Sequence, residues 1–160
     1  MLCLLLWLVT ATLWQGVLPP RAVLRQGPGQ VPEQAAQFIR QSNLRGRMFN
    51  DYENSSYLQW RLNTPLAATG RVPSKGRHPL FIDVLHAYPR QVMVDYQDIL
   101  KASKRGRKLL VERRVDYVVL GTRHRKSGLA RHLNGAGKRE WAQVYNKADA
   151  VIWVQRTPNR

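Results

Sequence analysis

The sequence predicts an α/β protein, in which an N-terminal apolar transmembrane helix precedes a three-layer domain with a mostly parallel sheet and a C-terminal antiparallel hairpin. Three observations predict this. Residues 1–18 carry no charged side chain, three apolar runs alternate with amphipathic stretches after residue 33, and two strand-like runs close the chain. The 160 residues, of which 44% are hydrophobic, suffice for one such domain. The single cysteine, Cys3, excludes a framework of intrachain disulfides.

The first 18 residues are long enough to span a membrane. As a helix they would measure roughly 27 Å, close to the roughly 30 Å hydrocarbon layer of a bilayer. Two alternatives stay open, an atypical or uncleaved signal peptide and a soluble core helix, although no Lys or Arg precedes the apolar run as a signal peptide would require. We expect a single-pass membrane protein with residues 19–32 as a linker. The basic residues that follow the apolar segment favour a cytoplasmic position for the soluble domain. This positive-inside rule is weaker when a long folded segment follows, so the orientation stays open.

The soluble domain, residues 33–156, is predicted to alternate helices and strands. Apolar residues at helical spacing predict helices, and continuous apolar runs predict strands covered on both faces. Because helices separate the first three strands, we expect right-handed crossovers and a parallel core, with the hairpin added at an edge. The predicted elements are helix 33–43, strand 47–50, helix 55–62, strand 80–85, helix 90–102, one or two helical turns in 108–113, strand 116–120, a short helix with Leu129 and Leu133, and hairpin strands 142–145 and 150–155.

Two carboxylates follow the first predicted strand. Asp51 and Glu53 lie two residues apart, so in extended chain both face one side, as a metal or sugar-hydroxyl site requires. The alternative is structural: Asp51 caps the helix beginning near Ser55, or pairs with Arg45 or Arg47. Both interpretations stay open at the level of sequence.

A second group of candidate residues follows the strand 80–85. Asp83 lies within an apolar run near the carboxyl end of a parallel strand, where open α/β sheets collect ligands. Its carboxylate would contact either substrate or loop amides, and His86 and Tyr88 could complete a pocket. The four histidines lack the spacing of a zinc site, so the sequence predicts no metal site. No other motif assigns a cofactor or a catalytic residue to this chain, and none is predicted.

The second part of the chain predicts a cationic surface. Residues 101–160 hold 16 lysines and arginines and 4 acids, against 10 and 6 in residues 1–100. Such a density can contact the phosphates of lipid headgroups or of nucleic acid, and a solvated face without a specific partner is a third interpretation. An adjacent membrane anchor favours membrane lipid over nucleic acid. The candidate phosphate contacts are Lys101, Lys104, Arg105, Arg107, Lys108, Arg113, Arg114, Arg123, Arg125 and Lys126.

Four segments carry a resemblance to a known group of proteins. They are 46–62 (GRMFNDYENSSYLQWRL), 79–100 (PLFIDVLHAYPRQVMVDYQDIL), 115–120 (VDYVVL) and 141–154 (WAQVYNKADAVIWV). In order and spacing, over roughly 110 residues, they resemble the C-terminal water-soluble domain of multi-pass, lipid-phosphate-sugar glycosyltransferases of the GT-C class. The sequence departs from that group at Ser55 and Ser56, where glycine is frequent, and at Leu85, where an arginine often follows the aspartate.

The resemblance implies a function at the membrane. The candidate substrate contacts, singled out by their positions after the two strands, are Asp51, Tyr52, Glu53, Asp83, His86 and Tyr88. The resemblance implies an extracytoplasmic domain with a polyprenyl-phosphate sugar or other membrane-protein subunits as partners. In that group the catalytic carboxylate comes from an early loop and the donor groove from many helices, so we expect this chain alone to transfer no sugar. The sequence therefore predicts a membrane-anchored, non-catalytic accessory domain. The alternative is a small basic nucleic-acid-binding protein.

Overall fold

The computed structural model describes residues 31–63, 78–82 and 88–156. The predicted transmembrane helix 1–18 and nearly all of the linker 19–32 lie outside these residues. Within the three ranges, every helix is too short or too polar to cross a bilayer.

The described residues form an α/β fold whose elements agree closely with the predicted ones. Each amphipathic stretch predicted as a helix is helical, and both hairpin strands are present. The helices are α1 (Glu33–Gln41), α2 (Ser55–Asn63), α3 (Arg90–Lys101), α4 (Lys104–Glu112) and α5 (Gly128–Asn134), with short 3-10 helices at Thr122–His124 and Ala136–Arg139. The strands are β1 (Arg47–Asn50), β2 (Val115–Gly121), β3 (Trp141–Asn146) and β4 (Ala150–Gln155).

The sheet is mixed, and the prediction that it is mostly parallel is wrong for the described residues. Its strand order is β1-β2-β4-β3; β1 runs parallel to β2, and β4 is antiparallel to both β2 and β3. The hairpin enters the sheet through β4, which is apolar enough to be covered on both faces. Of the predicted strand 80–85, Leu80 forms a single parallel bridge to Met48, while residues 83–85 lie outside the described part.

Helices cover both faces of the sheet, which gives the three predicted layers. Alternate residues of β1 and β2 point to opposite faces. On one face Phe49, Val118 and Leu120 join a cluster with residues of α3, α4 and α5. On the other face, Met48 and Tyr117 join a cluster with residues of α1 and α2. The core is therefore divided by the sheet, and the loops at the carboxyl ends of β1 and β2 lie between the two layers of helices.

Candidate functional site

The carboxyl ends of β1 and β2 bring three polar side chains together. Because the two strands are parallel neighbours, the chain leaves both of them at the same edge of the sheet. Asp51 and Glu53 follow β1, and His124 lies in the 3-10 helix that follows β2. Suitable ligand atoms of these three residues all lie within 4.8 Å of one another. This edge is where open α/β sheets commonly bind ligands.

Asp51 is held rigidly and is almost completely buried, with 1% of its surface exposed. Its Oδ2 accepts hydrogen bonds from the backbone N–H of Gly121 at 2.6 Å and from Nδ2 of Asn54 at 3.1 Å. A Cβ at position 121 would lie 2.2 Å from Nδ2 of Asn54 and 2.9 Å from Oδ2 of Asp51. The close contact of the Asp51 and Asn54 side chains with the end of β2 therefore requires glycine at position 121.

The three groups do not hydrogen-bond to one another. His124 Nδ1 lies 3.7 Å from Oδ2 of Asp51 and 3.5 Å from Oε2 of Glu53, beyond the roughly 3.2 Å limit of a good hydrogen bond. Oδ1 of Asp51 and Nδ1 of His124 are both buried and have no hydrogen-bond partner among the described residues. Unsatisfied buried polar atoms are rare and costly, and two such atoms belong to this cluster.

The electrostatics of the site favour positive charge at His124. The neighbouring Asp51 carboxylate raises the pKa of His124 above its ordinary value; partial burial opposes this shift, and Glu53 adds to it. Arg123 forms an exposed ion pair with Glu53, 2.9 Å between Nη1 and Oε1, which leaves Oε2 directed at His124. Burial, together with the nearby Glu53 and Asp51 charges, raises the pKa of Tyr96 to about 12.

The structural role that the sequence allowed for Asp51 is absent from the described part of the chain. Its carboxylate bonds to Gly121 and Asn54 instead of capping α2 or pairing with Arg45 or Arg47. Arg45 donates to Oδ1 of Asn43, and the Arg47 guanidinium donates to the backbone oxygen of Arg113. The chain after β1 is thus tied to β2.

The other predicted substrate-contact residues have mixed outcomes. Tyr52 is exposed, and its backbone N–H donates to Oη of Tyr96 at 3.1 Å. Tyr88 is partly buried and packs against the core cluster that contains residues of α3. Asp83 and His86 lie outside the described residues. Sequence reasoning missed His124, although its position just beyond a predicted parallel strand was a usable signal.

Some cations of the predicted basic surface form ion pairs with neighbouring acids, and others remain exposed. Asp95, with 2% of its surface exposed, accepts hydrogen bonds from Arg105 and Arg113, and Arg105 also pairs with Asp98. Lys108 pairs with Glu112, and Arg123 pairs with Glu53. Arg107 donates to the backbone oxygen of Ala102, whereas Lys101, Lys104 and Arg114 are exposed. Much of the charge on α4 is therefore neutralised within the fold.

A different part of the basic surface forms a groove beside α5. It has a volume of about 470 Å³ and is lined by Arg125, Lys126, Ala130, Arg131, Asn134 and Gly135, with no carboxylate among them. Arg125 is fixed by donating to Oδ1 of Asn146 and to the oxygen of Ala150. Oδ1 of Asn134 accepts from Nε1 of Trp153, which orients the Asn134 amide. Arg131 and Asn134 had not been predicted to take part.

Comparisons with protein-family models, with curated proteins and with solved structures gave no match to this chain.

Proposed function

We propose that this chain is a membrane-anchored, non-catalytic accessory domain of a glycosyltransferase-like membrane protein, and that its basic groove faces anionic lipid phosphates. The proposal combines the apolar segment 1–18 and the four GT-C-like segments with the groove beside α5. The observation that carries it is the groove itself. Arg125, Lys126 and Arg131 converge there without a lining carboxylate.

The chemistry of the groove suits a phosphate. Its charged groups are cations, and the amide of Asn134 adds hydrogen-bond donors, so an anionic oxygen meets no repelling acid within the lining. The fixed guanidinium of Arg125 loses little side-chain entropy on binding. A membrane anchor would hold the groove near the surface, where each basic residue contributes about 1 kcal/mol of attraction to anionic lipid.

Sedimentation with vesicles tests the proposal. Full-length chain is mixed with phosphatidylglycerol/phosphatidylcholine vesicles or with phosphatidylcholine alone, at low and high salt. We expect stronger binding to the anionic vesicles, and a loss of more than tenfold in that preference for Lys126→Glu/Arg131→Glu, since two attractions of about 1 kcal/mol are removed and reversed. Comparing variants of one chain isolates the groove from any contribution of residues 1–18.

The matched control is Arg45→Glu/Arg139→Glu. It makes the same change of charge at exposed positions that precede β1 and β3. Both strands run in the direction of β2, so these positions lie at the opposite edge of the sheet from Arg125. The control should keep its preference for anionic vesicles. If both double variants lose the preference for anionic vesicles equally, the binding depends on total charge and not on the groove.

Two further outcomes would contradict the proposal. Tighter binding of an oligonucleotide than of anionic vesicles at the same salt concentration would favour the nucleic-acid-binding alternative. Transfer of labelled sugar from a lipid-linked donor by the purified chain would show that the domain is catalytic.

A further inference from the structure

We propose that Asp51, Glu53 and His124 form a binding site for one divalent cation of the first transition row, with Zn²⁺ as its representative. This inference goes beyond the proposed membrane function and is independent of the basic groove.

The spacing of the three groups fits a shared cation better than direct contact. Zn²⁺ lies about 2.0–2.2 Å from histidine nitrogens and carboxylate oxygens, so two ligands in a tetrahedral site are roughly 3.4 Å apart. Nδ1 of His124 lies 3.5 Å from Oε2 of Glu53 and 3.7 Å from Oδ2 of Asp51. These separations are too long for good hydrogen bonds and close to those of ligands around one metal ion.

The two buried atoms without partners are independent support. Oδ1 of Asp51 and Nδ1 of His124 are withdrawn from water and accept or donate no hydrogen bond among the described residues. Asp51 is held through its other oxygen by Gly121 and Asn54, as carboxylate ligands of metals are held by an outer layer of donors. A cation held between this carboxylate and the imidazole would give Nδ1 a partner and would neutralise the charge that Oδ1 shares.

Charge and ligand type select the class of metal. Two carboxylates and a neutral imidazole balance a divalent charge. Imidazole ligands suit Zn²⁺ and its neighbours, whereas Ca²⁺ and Mg²⁺ prefer sites made entirely of oxygen. Three protein ligands leave at least one coordination position for water or for an oxygen of a bound molecule.

Calorimetric titration of the purified full-length chain with ZnCl₂, after chelator treatment, tests the site. We expect the wild-type chain to bind one equivalent more than Glu53→Gln or His124→Gln, or to bind that equivalent at least tenfold more tightly. Counting the difference separates this site from Cys3 and the other histidines. The matched control, Glu140→Gln, alters an exposed glutamate far from the cluster in sequence and should bind as the wild type does.

The variants are chosen so that the loss of a ligand can be distinguished from the loss of the fold. Asp51 is buried and its replacement could unfold the chain, whereas Glu53 is exposed and His124 is partly exposed, so their variants carry the test. Circular dichroism of each variant verifies the fold. Identical titrations of the wild type, Glu53→Gln and His124→Gln would overturn the proposal, as would a clear preference for Ca²⁺ or Mg²⁺ over Zn²⁺.

Discussion

At the scale of single residues, buried carboxylates organise the structure. Asp51 links the ends of β1 and β2 through Gly121, and Asp95 links α3 to α4 and to the chain that enters β2 through Arg105 and Arg113. A buried charge is costly unless it is paired and hydrogen-bonded. Asp95 meets that condition with both oxygens, whereas Asp51 meets it in part, since its Oδ1 has no partner among the described residues.

The buried Asp95 carboxylate should make the free energy of unfolding depend on pH in the acidic range. Burial raises the pKa of its carboxyl, but hydrogen bonds from Gln91, Arg113 and Arg105 outweigh burial and hold the pKa below its ordinary value of 3.8. The ionised group therefore stabilises the fold above pH 3.8, and this contribution is lost as the pH falls from 3.8 through the folded-state pKa. We expect Asp95→Asn to cost about 1–3 kcal/mol at pH 7 and to flatten the pH dependence below 3.8.

Urea unfolding between pH 2 and 7 measures this effect. Asp98→Asn is the matched control, because Asp98 pairs with the same arginine but keeps 29% of its side chain exposed, where ion pairs contribute about 0–1 kcal/mol. Parallel pH profiles for wild type and Asp95→Asn would contradict the interpretation.

Asp51 and Glu53 could be predicted as site residues from the sequence, whereas His124 could not. Asp51 and Glu53 follow a strand that the apolar pattern predicts, so their position at the edge of the sheet was accessible. Zinc spacing along the chain does not point to His124, because its partners lie some seventy positions earlier, across the parallel pair. Sequence spacing is blind to such pairs because the sheet, rather than the local chain, brings them together.

At the scale of elements, α3 and α4 form a tight helical pair. The turn passes through Ala102 in the left-handed region, with φ of 54°, and Oγ of Ser103 caps α4 by accepting from the N–H of Gly106 at 2.9 Å. Only one or two helical turns were predicted here, within 108–113. Gly106 and the surrounding basic residues obscured the start of α4, although Ser103 is a strong cap signal.

Gly106 should be required for the approach of α3 to α4. A Cβ at position 106 would lie 2.0 Å from the backbone oxygen of Asp98, which cannot move without displacing α3. We expect Gly106→Ala to lower the free energy of unfolding by at least 1–3 kcal/mol, despite the better helix propensity of alanine. Lys108→Ala, at an exposed position of α4, should change it by less than about 0.5 kcal/mol. Chemical denaturation decides, and equal stability of the two variants would refute the close contact.

The sheet order was the least predictable feature at this scale. Apolar runs indicated β1, β2 and β4, but such runs show that a strand is covered and do not show which strand lies beside it. β4 lies beside β2 and β3 is the outer strand, so the hairpin is added at an edge as expected, but the parallel core beside it holds two of the described strands instead of three. The hairpin was predicted correctly because its two strands are joined by a short turn, so their pairing is local.

At the scale of the whole molecule, the main feature is the large positive net charge. The chain carries 26 lysines and arginines against 10 acids, and a large net charge destabilises a compact state through self-repulsion. Composition alone predicted a cationic surface. It could not distinguish Arg105 and Lys108 of α4, which Asp95, Asp98 and Glu112 neutralise, from the cations of the groove, which no lining acid opposes.

Phosphate should therefore stabilise the protein beyond its effect on ionic strength. NaCl screens repulsion over the whole surface, so it should raise the unfolding temperature gradually. Millimolar phosphate at matched ionic strength should raise it further, because a ligand that binds the folded state stabilises it by about 2.7 kcal/mol at a hundred times its Kd. For a chain of this size each kcal/mol corresponds to roughly 2–4 °C.

Charge reversal locates the effect of phosphate. Lys126→Glu/Arg131→Glu removes cations from the groove and should abolish the additional rise, whereas Arg45→Glu/Arg139→Glu alters net charge equally and should retain it. Millimolar concentrations keep the general salting-out action of phosphate small. If phosphate and NaCl stabilise the wild type equally at matched ionic strength, the groove holds no preference for phosphate, and the basic surface acts as a diffuse field without a binding site.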